Sequence, residues 1–199
     1  AGILILGLFL QGRRYWSALL AAGLALYHPT HGFVVLSILG SYALWETFVL
    51  KKQSLKQFAQ LGIVTGVALL PFIVLTLLRM PTHEFDQQAW WSYVYSKSSN
   101  LTPLQDGVLV VAAIMSTLLC GIMALRGSAE TVALRDRAIA IIIVTMVLWL
   151  VQILATEVFR SVSLTQLALT RGTPYAGLVI VAVLAERAYR AISQGDTFD

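Results

Sequence analysis

Residues 33–52, FVVLSILGSYALWETFVLKK, decide the fold: a long apolar run ends on the paired Lys51-Lys52. A run of this length is what a helix needs to cross roughly 30 Å of hydrocarbon, and lysines mark where such a helix meets water. The same unit recurs on the C-terminal side as Phe58 to Leu78, Gly107 to Leu125 and Ala138 to Phe159. A last span starts at Gly172 or Thr173, with Pro174 in its first turn, and ends near Tyr189. On the N-terminal side, Trp16 to Tyr27 is a short arm of about 18 Å, and Ala1 to Leu10 reads as the tail of a first span. The expected fold is therefore all-α: a polytopic transmembrane helix bundle with about six spans plus the truncated first one. It forms a single domain over residues 1–199, expected to be the C-terminal part of a longer protein. A β-barrel is excluded, because its strands alternate over about ten residues instead of staying apolar for twenty.

Lysine and arginine fall in alternate gaps between these runs. Arg13, Arg14, Lys51, Lys52, Lys56, Arg126, Arg135, Arg137, Arg187 and Arg190 share one side, whereas only Arg79, Lys97, Arg160 and Arg171 lie on the other. Short loops rich in Lys and Arg stay cytoplasmic, so the first set faces inward and the C-terminus is expected in the cytoplasm. The chain is 58% hydrophobic and 12% charged, against roughly 25% charged in a soluble domain. Its net charge of +4 is thus an orientation signal, and no nucleic-acid partner is expected. Cys120 is the only cysteine, which excludes an intrachain disulfide and a cysteine-rich metal site.

The outward-facing gaps carry the candidate chemistry. His28-Pro29-Thr30-His31-Gly32 breaks the chain: proline disfavours helix at the residue before it, and glycine frees the turn. The short arm before it either starts inside the Arg13-Arg14 turn or is a half-helix ending below the outer surface. His28 and His31 either cap helix ends or bind substrate; to hold a divalent metal they would need a third ligand from His83, Glu84 or Asp86. No metal site is assigned on this spacing alone. Arg79-Met80-Pro81-Thr82-His83-Glu84-Phe85-Asp86 gathers a guanidinium, an imidazole and two carboxylates after a span. Glu84, Asp86 and His83 are the candidate acid/base residues, with a solvated loop as the plain alternative. Phe85, Trp90, Trp91, Tyr93 and Tyr95 crowd the same loop, as an interfacial aromatic belt or as a platform for sugar faces.

Arg160 to Arg171 reads as an outer connector leading to the start of the last helix, where free N–H groups favour an anion. The alternative pairs Arg160 with Glu157 and leaves Arg171 on lipid headgroups. Phosphate-binding glycine loops, nucleophile turns and paired-histidine zinc helices are absent, which argues against nucleotide-driven chemistry in this segment.

His28-Pro29-Thr30-His31-Gly32, Arg79-Met80-Pro81-Thr82-His83 and Arg171 together resemble bacterial polytopic proteins with a GT-C-like glycosyltransferase architecture. The resemblance implies a polyprenyl- or dolichyl-phosphate-linked sugar donor, work at the extracytoplasmic face, and residence in a bacterial inner membrane. It implies that Arg79, Arg160 and Arg171 hold the donor phosphate while His28, His31 and His83 orient sugar or phosphate. That class usually carries its catalytic carboxylate in a first large outer loop, which would lie upstream of Ala1, so no catalytic base is carried over. Related sequences are richer in histidine after the Arg-x-Pro, where this one has Thr82 and then His83-Glu84. The rival expectation is a transporter, or a membrane subunit that binds lipid or partner helices.

Overall fold

A computed structural model describes residues 1–78, 86–97, 103–126, 132–166 and 169–194, and all regular structure among them is helical. Helix α1 spans Gly2–Leu10, α2 Arg14–Tyr27, α3 Pro29–Leu44, α4 Leu55–Leu78, α5 Gln87–Lys97, α6 Val108–Arg126, α7 Val132–Ile153, α8 Val162–Thr165 and α9 Thr173–Gln194. Two of them widen into a last π turn, α3 over Trp45–Val49 and α7 over Leu154–Val158. Four segments are long and apolar enough to cross a membrane: Pro29–Val49, Leu55–Thr76, Val108–Arg126 and Val132–Val158. The expected α2 crossing has only 14 residues, and the apolar part of the last one, Leu169–Ala185, is also shorter.

Local signals place the ends. Gly12, at φ 82°, closes α1: its N–H reaches the Phe9 carbonyl and that of Arg13 the Leu8 carbonyl, both at 2.9 Å. Ser54 and Gln57 exchange backbone-to-side-chain bonds of 3.2 Å at the start of α4, a reciprocal cap. Threonines inside the long helices return their hydroxyls to the carbonyl four residues earlier, as Thr65, Thr117 and Thr145 do. This spares an apolar medium an unpaired donor.

The helix break is narrower than the His28–Gly32 turn suggests. Only His28 leaves helical geometry, at φ −141° and ψ 84°, and Pro29 already begins α3, where its missing N–H removes nothing. Gly32 supplies no turn. It lies within α3 against the Ala25 backbone of α2, so close that any side chain would collide. The two helices form a tight hairpin because Gly32 lets their backbones touch.

The core lies between α3 and α7, where Val34, Val35, Ile38, Ile141 and Ile142 are fully buried. Helix α4 stands against α2 with no residue of its apolar stretch buried. A helix apolar all round and without a buried residue matches a lipid environment.

One end of the bundle collects charges. The Arg14 guanidinium meets the Glu46 carboxylate at 2.8 Å and donates to Gln53 at 2.9 Å. Lys52 lies 3.7 Å from Asp136, and Arg137 donates to the Leu10 carbonyl at 2.8 Å. Three of the turns expected to share a side therefore do share one end. Glu46, with 4% of its side chain exposed, is a buried charge that the apolar look of its span conceals.

Breaking one half of such a pair strands the other charge. Arg14→Met should destabilise the protein by about 3–5 kcal/mol, and Arg14→Met with Glu46→Met should recover most of the loss. Thermal melts in detergent read both, and equal melting points for wild type and single variant would remove the pair's structural role.

Candidate functional site

The site is built by a segment that goes down, not across. After α7 ends at Phe159, Arg160 takes a left-handed conformation at φ 46° and Ser161 donates to the Ala155 carbonyl at 2.8 Å. From there the chain descends along one face of α7. Buried Gln152 donates to the Thr165 carbonyl at 3.3 Å and accepts from the Leu169 N–H at 3.0 Å. Trp149 donates to the Thr173 hydroxyl at 2.6 Å, and that hydroxyl donates to the Thr170 carbonyl at 2.8 Å. Gly172 reaches lowest, where a Cβ would sit 3.2 Å from Val34 and 3.4 Å from Thr145. Thr145 lies thirteen residues, about 20 Å of helix, before Val158.

The expected outer connector is thus re-entrant, and Thr165, Leu169, Thr170 and Gly172 are buried. Non-helical backbone at such depth is tolerated only where protein satisfies it, and Gln152 and Trp149 do so here. Sequence carried a signal for this. Thr145, Trp149, Gln152 and Thr156 recur at four-three-four spacing, a polar stripe on an otherwise apolar helix.

The descent brings Arg171 to the His28 break, 141 residues apart from Thr30 in sequence. Arg171 donates to the Thr30 hydroxyl at 3.1 Å, and that hydroxyl lies 3.2 Å from His28 Nδ1. One arrangement satisfies both bonds: Thr30 accepts from Arg171 and donates to an unprotonated Nδ1. His31 stacks edge-on to His28 at 4.5 Å between ring centres, and its Nδ1 lies 2.9 Å from the Tyr175 hydroxyl. Both imidazoles are therefore anchored through Nδ1, which leaves Nε2 as the atom each can offer a ligand. Tyr175 also packs on Gly2 of α1, whose lack of a side chain makes room for the ring.

Arg171 is half-buried, and among the described residues it makes one hydrogen bond and no ion pair. A guanidinium, two imidazoles and two hydroxyls converge, with no carboxylate among the described residues to balance them. That set is suited to an anion, because fixed donors act more strongly where water is scarce. His28 and His31 are the two nearby metal-ligand types, and among the described residues no group of three or more His, Cys, Asp or Glu gathers.

The other candidates divide. Arg79, His83 and Glu84 lie outside the described residues. Asp86 caps α5, accepting the Ala89 N–H at 2.9 Å. Arg160 stays at the rim beside Tyr95 and Glu157, fifteen residues beyond Thr145 along the chain of α7, and is exposed. Glu157, expected to pair with Arg160, forms no ion pair with it among the described residues and instead bonds the Tyr95 phenol, which ties α5 to the rim.

Comparison with known protein families, with characterised proteins and with solved structures finds no match.

The Tyr95 phenol is raised above its ordinary 10.0, first by burial and then by the Glu157 carboxylate, with Arg160 opposing. The folded state holds this proton more tightly than the unfolded chain does. The contact therefore stabilises the docked α5 fully below pH 10.0 and loses that contribution as pH rises through the raised value. Tryptophan fluorescence from Trp90 and Trp91 should change as α5 loosens above pH 10.0, and Tyr95→Phe should flatten that titration. A titration identical in the variant would assign the change to another group.

Proposed function

We propose that this chain is the lipid-phosphate-binding part of a GT-C-like membrane glycosyltransferase. It works at the face opposite the basic turns on a polyprenyl-phosphate-type sugar donor. The observation that carries the reading is the Arg171 guanidinium beside His28 and His31 at bundle depth, without an ion-pair partner among the described residues. An ionisable group at such depth is costly unless it meets a partner, and a donor phosphate supplies the missing negative charge. In sugar transfer the phosphate is the leaving group, and charge develops on its oxygen as the glycosidic bond breaks. Arg171 would neutralise that charge while the Nε2 atoms of His28 and His31 orient phosphate or sugar.

In this reading the chain makes six crossings after α1, with α2 and α9 as crossings shortened by the His28 break and the re-entrant segment. The basic turns and C-terminus face the cytoplasm, in the inner membrane of a bacterium. Arg79 and Arg160 belong to the outer approach, where the donor headgroup enters. Acid/base work falls to Glu84 or His83; Asp86 is committed to its cap.

One observation favours transport as a second reading. A broken helix facing a re-entrant segment is also how transporters build a site near the midplane. The two readings separate by assay, since transfer gives a glycosylated acceptor and transport gives solute counterflow in vesicles.

Arg171→Ala should weaken binding of polyprenyl phosphate by about ten- to a hundred-fold, the worth of a charge-assisted bond of roughly 1.5–3 kcal/mol. Fluorescence titration in detergent measures it, with Arg171→Lys retaining part of the affinity because a point charge lacks the planar fork. Wild-type affinity in Arg171→Ala would end the assignment.

A further inference from the structure

Two adjoining cavities lie at the opposite end of the bundle from Arg171. Between α2, α3 and α4 runs an apolar slot of about 360 Å³, lined among others by Leu36, Leu39, Gly62 and Leu69. It joins a polar chamber of about 360 Å³ that shares its Arg14 and Leu61 and adds Lys52, Gln53 and Gln57. The slot follows α4 from Phe58 to Leu69, eleven residues or about 16 Å, close to half of a roughly 30 Å hydrocarbon core. That is the depth of one leaflet, reached by one acyl chain. Gly40, Gly62 and Gly66 line it, and a Cβ on any of them would meet nothing within 4 Å. The space beside them is open, not filled by neighbouring side chains.

Charge decides the headgroup. The two turns around the mouth carry Arg13, Arg14, Lys51, Lys52 and Lys56, five cations. Glu46 offsets Arg14 and Asp136 offsets Lys52, which leaves a surplus of three. The N-terminus of the 24-residue α4 adds its partial positive charge at the same place. A basic rim over a slot one leaflet deep matches an amphiphile with an anionic head and a single buried chain.

We infer that this slot binds an anionic phospholipid of the leaflet facing the basic turns, its phosphate at the Lys52–Gln57 chamber and one acyl chain along α4. The site is independent of Arg171 and of the reaction proposed for it. Its role is to seat α4, whose main support among the described residues is α2.

Native mass spectrometry of the full chain, delipidated in detergent and titrated with phosphatidylglycerol or phosphatidylcholine, tests the assignment. Wild type should bind phosphatidylglycerol about ten-fold more tightly, in keeping with the rim's surplus charge. Gly66→Leu projects into the slot from a position where a Cβ meets nothing within 4 Å, so it should bind both lipids about ten-fold more weakly while melting as wild type does without lipid. Lys51→Gln with Lys56→Gln should erase the preference and keep phosphatidylcholine binding. Equal wild-type binding of the two lipids, unchanged binding in Gly66→Leu, or a preference for polyprenyl phosphate over phosphatidylglycerol that Gly66→Leu abolishes would each overturn it. Arg171→Ala serves as the control that leaves this binding intact.

Discussion

Backbone polar groups cannot be left bare in hydrocarbon, and everything distinctive here follows from how one non-helical stretch escapes that penalty. Residues between α7 and α9 descend about 20 Å into the bundle, and the side chain of Gln152 satisfies them from both sides, as donor to Thr165 and acceptor from Leu169. Without those bonds the segment would have to return to the surface. Arg171 would go with it, and no cation would reach the His28 break.

The break and the descending segment depend on each other. Helix α2 stops after 14 residues because Pro29 forbids helical geometry at His28, so its end lies short of a full crossing. The close approach of Gly32 to Ala25 holds α3 against it. The room left above α2 is where Arg171 and Tyr175 arrive, and Thr30 and His31 receive them through hydrogen bonds. At the other end, buried Glu46 and Arg14 lock α2 to α3. A positive, hydroxyl- and imidazole-rich site thus sits at one end, and an ionic layer with a surplus of cations at the other.

Much of this was legible in the chain. Apolar runs bounded by Lys and Arg marked the long helices, because length and hydropathy report directly on what a bilayer demands. The gaps grouped Arg14, Lys52 and Arg137 correctly, and the start of α9 beside Thr173 followed from Pro174. The His-Pro-Thr-His motif drew attention for a sound reason: ionisable groups at a helix break rarely sit in apolar surroundings without a task. Less visible were contacts whose partners are far apart in sequence. Glu46 carries no signal of its role in the sequence, since nothing local reveals that Arg14 reaches it. The segment from Arg160 to Arg171 looked like a surface connector, since its mild amphipathic pattern suits an interface as well as a buried return.

By itself, then, the sequence determined an all-helical chain with several membrane-length segments, the end to which most of its cations belong, and the position of its helix break. Each is a property of composition or of a few adjacent residues, and so needs no knowledge of what packs against what. Tertiary structure alone decided that Arg171 meets Thr30, that Gln152 carries a buried return, and that Gly32 serves contact and not turning. Those outcomes depend on which helix faces lie together, and packing of distant segments is fixed only when the whole bundle closes.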